Sequence, residues 1–281
     1  MPITTADLCS PARYAEAVTG GKFQRPRHIQ ALDAEVMATL LGDYDILVAM
    51  APPRSGKSEY LSKWLPSWYT NAWSSNRVIA TSYSMSLARI ASRFARDQNH
   101  KDAPIWGRGG VNRLVSGATD WQTVDGGGML AAGVGGGITG RAANLFLIDD
   151  CLKNAEQALS EKIRESQWEW FQTTAFTRLE PGGKLILLGT RWHAQDLLGR
   201  VLDFVTKETT LRIREVRFQA IAELEENQTD MLGRVNGEAL WPERWPVESL
   251  LRIKSALADY WWQALYQQNL TQHGSNEWPE S

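Results

Sequence analysis

One segment constrains the fold more than any other: Asp45-Ile-Leu-Val-Ala-Met-Ala-Pro-Pro-Arg-Ser-Gly-Lys-Ser58. Its apolar run predicts a buried strand. A tight Pro/Gly turn follows, carrying Arg54, Ser55, Gly56, Lys57 and Ser58, and a helical pattern begins at Glu59. Strand, loop, Gly-Lys-Ser, helix is the architecture of a nucleotide-phosphate cradle, because loop and helix N-terminal N–H groups point at the anion. In such a cradle Pro53, Arg54, Ser55 and Gly56 line the loop, Lys57 reaches the β and γ phosphates, and the Ser58 hydroxyl ligates Mg²⁺. The pattern calls for a glycine five residues before Gly56. Ala51 stands there, followed by Pro52 and Pro53, which fix φ and stiffen the loop. An ordinary strand-to-helix turn is the alternative, so partners elsewhere in the chain must decide.

The chain has 281 residues, enough for one large α/β domain or a core with a small second domain. Thirty basic and 32 acidic residues leave a net charge of −2. That argues against a permanently basic nucleic-acid coat, but not against a DNA-handling enzyme with its basic residues on one face. Cys9 and Cys151 are too few for a disulfide framework or a zinc site and suit a reducing, cytoplasmic setting. No apolar run is long enough to span a bilayer and no signal-like stretch opens the chain. Thirteen tryptophans fit core packing better than base stacking.

The periodicity predicts helices ahead of the loop, including Ile29 to Leu41, stopped by Gly42-Asp43. A helix over about Glu59 to Ala72 and a strand at Arg77 to Tyr83 follow. Ser86 to Gln98 is predicted helical, with Arg89, Arg93 and Arg96 on one face that suits either a DNA backbone or solvent. Trp121 to Val124 and Met129 to Val134 are predicted strands around a glycine turn, and Gly135 to Arg141 a loop. Leu145-Phe-Leu-Ile148 is a buried strand ending in Asp149-Asp150. A long helix is expected over about Ala155 to Leu179, stopped by Pro181-Gly-Gly183, then a strand from Lys184 with a polar tip at Thr190 to His193. The alternation predicts a mostly parallel sheet flanked by helices over 45–197. The pattern changes after 197, so 198–270 is expected to be a smaller appended lid or linker subdomain, with 1–44 a helical segment ahead of the core and 271–281 a polar linker.

In an open parallel sheet, ligands bind beyond the C-terminal strand ends. Lys57 and Ser58 follow one strand, Asp149 and Asp150 a second, and Thr190 a third. Asp149 suits Mg²⁺, and Asp150 suits orienting or deprotonating the attacking water. The alternative is that both aspartates cap the next helix. Thr190 is placed to sense the γ-phosphate, or to make a strand-end hydrogen bond. His193 is as easily a surface histidine. Arg54 in cis, or Arg141 from its glycine-rich loop, could stabilise charge on the transferring phosphoryl group, or each could be a solvated charge.

The set of motifs resembles the large terminase subunit of tailed bacteriophages, the motor that packages DNA. The likeness rests on Ala51 to Ser58, on Gly137-Ile-Thr-Gly-Arg141 leading into Leu145 to Asp150, on Leu188-Gly-Thr-Arg-Trp-His193, and on Trp262-Gln-Ala-Leu-Tyr-Gln-Gln-Asn269. It implies a P-loop NTPase of the additional-strand, conserved-glutamate (ASCE) type with a small lid subdomain, using ATP and Mg²⁺. It implies that Lys57 and Ser58 bind phosphate and Mg²⁺, that Asp149 binds Mg²⁺, that Thr190 couples hydrolysis to movement, and that Arg141 is offered to an adjacent subunit. The region of Arg27 and His28 would recognise adenine. Many relatives carry Asp-Glu at Asp149-Asp150, which leaves the catalytic carboxylate open between Asp150 and a nearby Glu such as Glu156.

The implied partners are double-stranded DNA, a portal protein, a small terminase subunit and further copies in a ring, with the isolated domain free to be monomeric. The implied location is the cytoplasm of an infected bacterium, outside the virion, with no membrane. The family's nuclease half is expected beyond residue 281, making this a shortened ATPase portion. A helicase-like DNA-dependent ATPase, or a non-hydrolysing nucleotide-binding assembly module, are the alternatives.

Overall fold

In the computed structural model, which describes residues 3–138, 140–225 and 228–270, the apolar run becomes strand β1 (Ile46–Met50), buried at every position. The other strands are β2 (Arg77–Ser82), β3 (Val111–Ser116), β4 (Asp120–Thr123), β5 (Gly128–Gly133), β6 (Ala143–Asp149), β7 (Leu179–Gly189) and β8 (Ile213–Arg217). They form one sheet in the order β3-β4-β5-β2-β6-β7-β1-β8. Every pair from β5 to β8 is parallel, and β3 and β4 close one edge antiparallel. Strand β7 lies between the loop-bearing β1 and the acidic β6, so the sheet carries the additional strand of the ASCE type.

Alternate residues of these strands feed two cores, as period-2 geometry requires. Leu47, Ala49, Leu145, Leu147, Ile186 and Leu188 face one apolar cluster. Helices α1 (Pro11–Val18), α2 (Arg27–Leu41), α3 (Leu65–Ala72) and α4 (Met85–Asp102) cover that side. Ile46, Val48, Phe146, Ile148, Leu185 and Leu187 face the other cluster. There α5 (Ala155–Leu159) leads into α6 (Glu161–Trp170), which packs on the sheet beside α7 (Leu197–Glu208). The predicted stop after α2 is Gly42, whose φ of 108° only glycine adopts freely.

Two expectations are corrected, and one strand was not foreseen. The long helix over 155–179 breaks at Ser160, whose hydroxyl caps α6 by accepting the Ile163 N–H. Beyond α6 the chain widens into a π-helical turn over Phe171–Ala175 and then tightens into a 3₁₀ turn over Phe176–Arg178. Pro181-Gly-Gly183, read as a helix stop, instead bulges from the start of β7: Ala143 pairs Leu179, but Leu145 already pairs Lys184. Strand β3 had no expected counterpart; it is a largely exposed edge strand without apolar alternation.

The boundary expected at 197 does not divide the sheet. Helix α7 packs on the second core, and β8 pairs in parallel with β1 from Ile46↔Ile213 to Met50↔Arg217. The pattern changes there because β8 is a half-exposed edge strand. A separate small cluster of Ala220, Ile221, Ala239, Leu250 and Trp262 begins beyond it, with α8 (Val247–Ser255) and α9 (Asp259–Leu265). The polar linker 271–281 lies outside the described residues. Among the described residues no helix is long and apolar enough to cross a membrane.

Candidate active site

The sheet register brings three strand tips level. Met50 pairs Gly189, and Asp149 pairs Leu188. Ala51, Asp150 and Thr190 are therefore neighbours: the Thr190 hydroxyl donates to the Ala51 carbonyl at 3.2 Å, and the Thr190 N–H donates to Asp150 Oδ1 at 3.1 Å. Lys57 Nζ lies 3.4 Å from Asp150 Oδ2. Asp150 itself has a φ of 45°, and Arg54 in the loop has 58°, both left-handed conformations uncommon outside glycine and concentrated at functional sites.

Asp149 is buried between two hydroxyls. Ser58 Oγ donates to its Oδ1 at 3.1 Å and Ser62 Oγ to its Oδ2 at 2.6 Å. Burial, and then the charge of Asp150, push the Asp149 carboxyl up to about 6, against the pull of Lys57 and the two serines. Neither aspartate caps a helix: Asn154 caps α5 through its side chain. Glu156 is exposed in the first turn of α5, and among the described residues it makes no side-chain contact with the site.

Arg27 and His28, expected to recognise adenine, both have their side chains engaged within the chain. His28 is buried beneath the loop and pairs its Nε2 with the Ser55 carbonyl at 2.8 Å, so it holds the loop from behind. Burial lowers its pKa and keeps the ring neutral. Arg27 is turned to the chain's other end, bound to Glu238 at 2.9 Å and to the Leu232 carbonyl. Both stand at the first turn of α2, and neither lines the groove in front of the loop. The groove in front of the loop, about 610 Å³, is lined instead by Thr19, Lys22, Phe23 and Gln24, and by Trp241 and Arg244. Neither group carried a motif that sequence reading could have caught.

Arg54 is exposed at the mouth of this groove, and Trp245 Nε1 donates to its carbonyl at 3.4 Å. Arg141 is not brought to the site. It precedes β6, and Asp149 ends it; six steps at about 3.3 Å separate the strand ends by roughly 20 Å. Its guanidinium pairs with Asp120. Of the arginine face on α4, Arg96 is engaged by Asp97 and the Ser116 carbonyl, and Arg93 faces Asp97 at 4.0 Å. The tryptophans mostly pack: Trp121 and Trp262 are fully buried, and Trp64, Trp68 and Trp106 meet neighbouring rings edge to face.

The tip beyond Thr190 holds a feature that the sequence did not announce. Arg191 is buried and pairs with Asp196 at 3.0 Å, and Asp196 also caps α7. The Arg191 N–H donates to the side chain of Gln268 at 2.9 Å, and Gln268 is wholly buried. His193 accepts from the Gln195 N–H within this turn and does not reach the loop.

Residues 48–252 match the family described as "Terminase large subunit, T4likevirus-type, N-terminal". The fold is similar to the large terminase ATPase domain of Thermus phage P74-26, with a TM-score of 0.58 and 13% identity over 92% of this chain and 98% of that one. It is also similar to the large terminase of bacteriophage HK97, with a TM-score of 0.54 and 13% identity over 84% of this chain. The chain spans about half the length of that protein, 49%. At such identities the likeness is one of fold. No curated protein matches the sequence.

Proposed function

This chain belongs to the family of T4likevirus-type terminase large subunits, N-terminal part, and from that premise we propose that it is the ATPase of a DNA-packaging motor. It hydrolyses ATP with Mg²⁺, and the hydrolysis drives double-stranded viral DNA into a procapsid. It works in the cytoplasm of the infected bacterium, in a ring of like subunits on the portal protein, with the small terminase subunit as partner.

The observation that carries this reading is the Ser58–Asp149 contact at 3.1 Å beside the Lys57–Asp150 pair at 3.4 Å. The donors fit Mg²⁺. A serine hydroxyl and a carboxylate are hard oxygens, and the ion takes its remaining ligands from phosphate and water. Accordingly, no cluster of three or more His, Cys, Asp or Glu suited to a metal occurs among the described residues. Ser58 and Asp149 would hold the ion, which when bound neutralises charge developing on the phosphoryl oxygens.

The chain's own residues do the rest. Lys57 and the loop N–H groups hold the phosphate tail. Asp150 orients the attacking water and takes its proton, its carboxylate fixed by the Thr190 N–H. Asp150 suits this role better than Glu156 because it sits among the three strand tips. Arg54 offers its charge from the loop, and Arg141 offers its charge to a neighbouring subunit. Thr190 passes the state of the site to Arg191 and Gln268.

The test is ATP turnover in the Lys57→Ala and Asp149→Ala variants. Both should fall to background; phosphate release unchanged in both would end the motor reading, and no release from the wild-type chain would leave a non-hydrolysing module.

A further inference from the structure

The groove in front of the loop is larger than a chain of phosphates requires, and one of its walls comes from far along the sequence. Trp241 is buried with its ring against the loop itself: a Cβ at Gly56 would lie 3.7 Å from its Cζ3. It also meets the His28 ring at 5.5 Å, and His28 holds the Ser55 carbonyl. On this fixed indole sits Arg244, its guanidinium carbon 5.1 Å from the ring centroid. Arg244 lines the groove and is exposed, and among the described residues its side chain makes no ion pair and no hydrogen bond.

A guanidinium resting over an indole gives up part of its freedom before any ligand arrives, so less is lost when it takes a second, planar partner. The loop already presents Lys57 and Arg54 to the phosphates. A third cation seated over an aromatic ring suits a base more than a phosphate, since arginine planes stack on nucleobases. Of the polar residues that line the groove before α2, the Thr19 hydroxyl is already engaged, with the Ala15 carbonyl at 2.7 Å and the Phe23 N–H at 2.9 Å, which leaves Lys22 and Gln24.

We propose that Arg244, seated on Trp241, stacks on the base of the bound nucleotide and so supplies the base-binding surface of the groove. The proposal rests on the nucleotide reading given above. Stacking tolerates any base, so ATP and GTP should depend on Arg244 alike.

Calorimetric binding of Mg-ATP, Mg-GTP and inorganic triphosphate to the whole chain tests this. Arg244→Ala should weaken ATP and GTP about tenfold, or about 1.4 kcal/mol, and leave triphosphate within about twofold. Arg244→Lys, which keeps charge but not the plane, should not restore the loss. Lys57→Ala should weaken all three ligands. An equal loss of triphosphate in Arg244→Ala, or full rescue by lysine, would make Arg244 a phosphate contact and overturn the proposal. Unchanged ATP affinity in Arg244→Ala would overturn it as well. A wild-type chain that binds neither ATP nor triphosphate would instead remove the nucleotide reading itself.

Discussion

Asp149 is a carboxylate under tension between burial and its neighbours, and its chemistry has a pH signature. Its folded-state pKa of about 6 stands above the ordinary 3.8. A raised carboxylate pKa means that the folded state prefers the protonated form. This term therefore stabilises the ligand-free protein fully below about pH 4 and is lost as pH rises through about 6. Asp149→Asn should abolish that slope in thermal unfolding of the ligand-free protein between pH 4 and 7; an unaltered slope would show that other groups cause it. Ser62, whose hydroxyl meets the second oxygen of Asp149, should act on the same carboxylate. We expect Ser62→Ala to raise the Mg²⁺ concentration needed for half-maximal turnover several-fold, with maximal turnover little changed. Asp150→Asn should bind ATP and fail to hydrolyse it, as filter binding and phosphate release would report. Much of this site was legible in the sequence because Pro53 to Ser58 and Asp149-Asp150 are local motifs at strand ends. Ser62, Trp241 and Arg244 were not, because their roles exist only once distant segments meet. His28 shows the converse: expected to recognise the base, it turns its ring under the loop.

At the scale of elements, the sequence marked those whose cause is local. Strand β1 is a continuous apolar run, β2 and β6 are built round the apolar stretches Val78 to Ala80 and Leu145 to Ile148, α2 ends at a glycine, and α4 follows helical spacing with buried Ala88, Ala91 and Ala95. Elements set by tertiary contact were hidden. Edge strand β3 lacks alternation, and Ser160 breaks an otherwise helical stretch by capping α6. The segment Glu59–Trp64 after the loop is π-helical, a wider turn often found at functional sites. Two elements meet at the Arg191–Gln268 hydrogen bond, which ties the tip of β7 to the turn after α9. Gln268→Ala would leave a buried N–H without a partner, at a cost of about 1–3 kcal/mol. We expect ATP affinity near wild type and turnover reduced at least fivefold; equal loss of both would indicate general damage to the fold instead.

For the molecule as a whole, the position of Arg141 bears on the proposed ring of subunits. Some 20 Å of strand keep it from its own phosphate loop, and its pairing with Asp120 is about 40% and 33% exposed. Such a pair contributes at most about 1 kcal/mol, so a neighbour could draw Arg141 away cheaply. Mixing Arg141→Ala subunits with Lys57→Ala subunits under assembling conditions should restore some turnover, since each supplies what the other lacks. No rescue would count against exchange between subunits.

The placement of β7 has a mechanical meaning. It is hydrogen-bonded on both sides, to β1 and to β6, and Leu185 to Leu188 are fully buried. Amide hydrogens there should be among the last in the molecule to exchange with deuterium. Thr190 is thus mounted on the least yielding part of the molecule, a stator. In the proposed motor, a movement on phosphate loss would therefore fall to the smaller piece tied to β7 through Gln268.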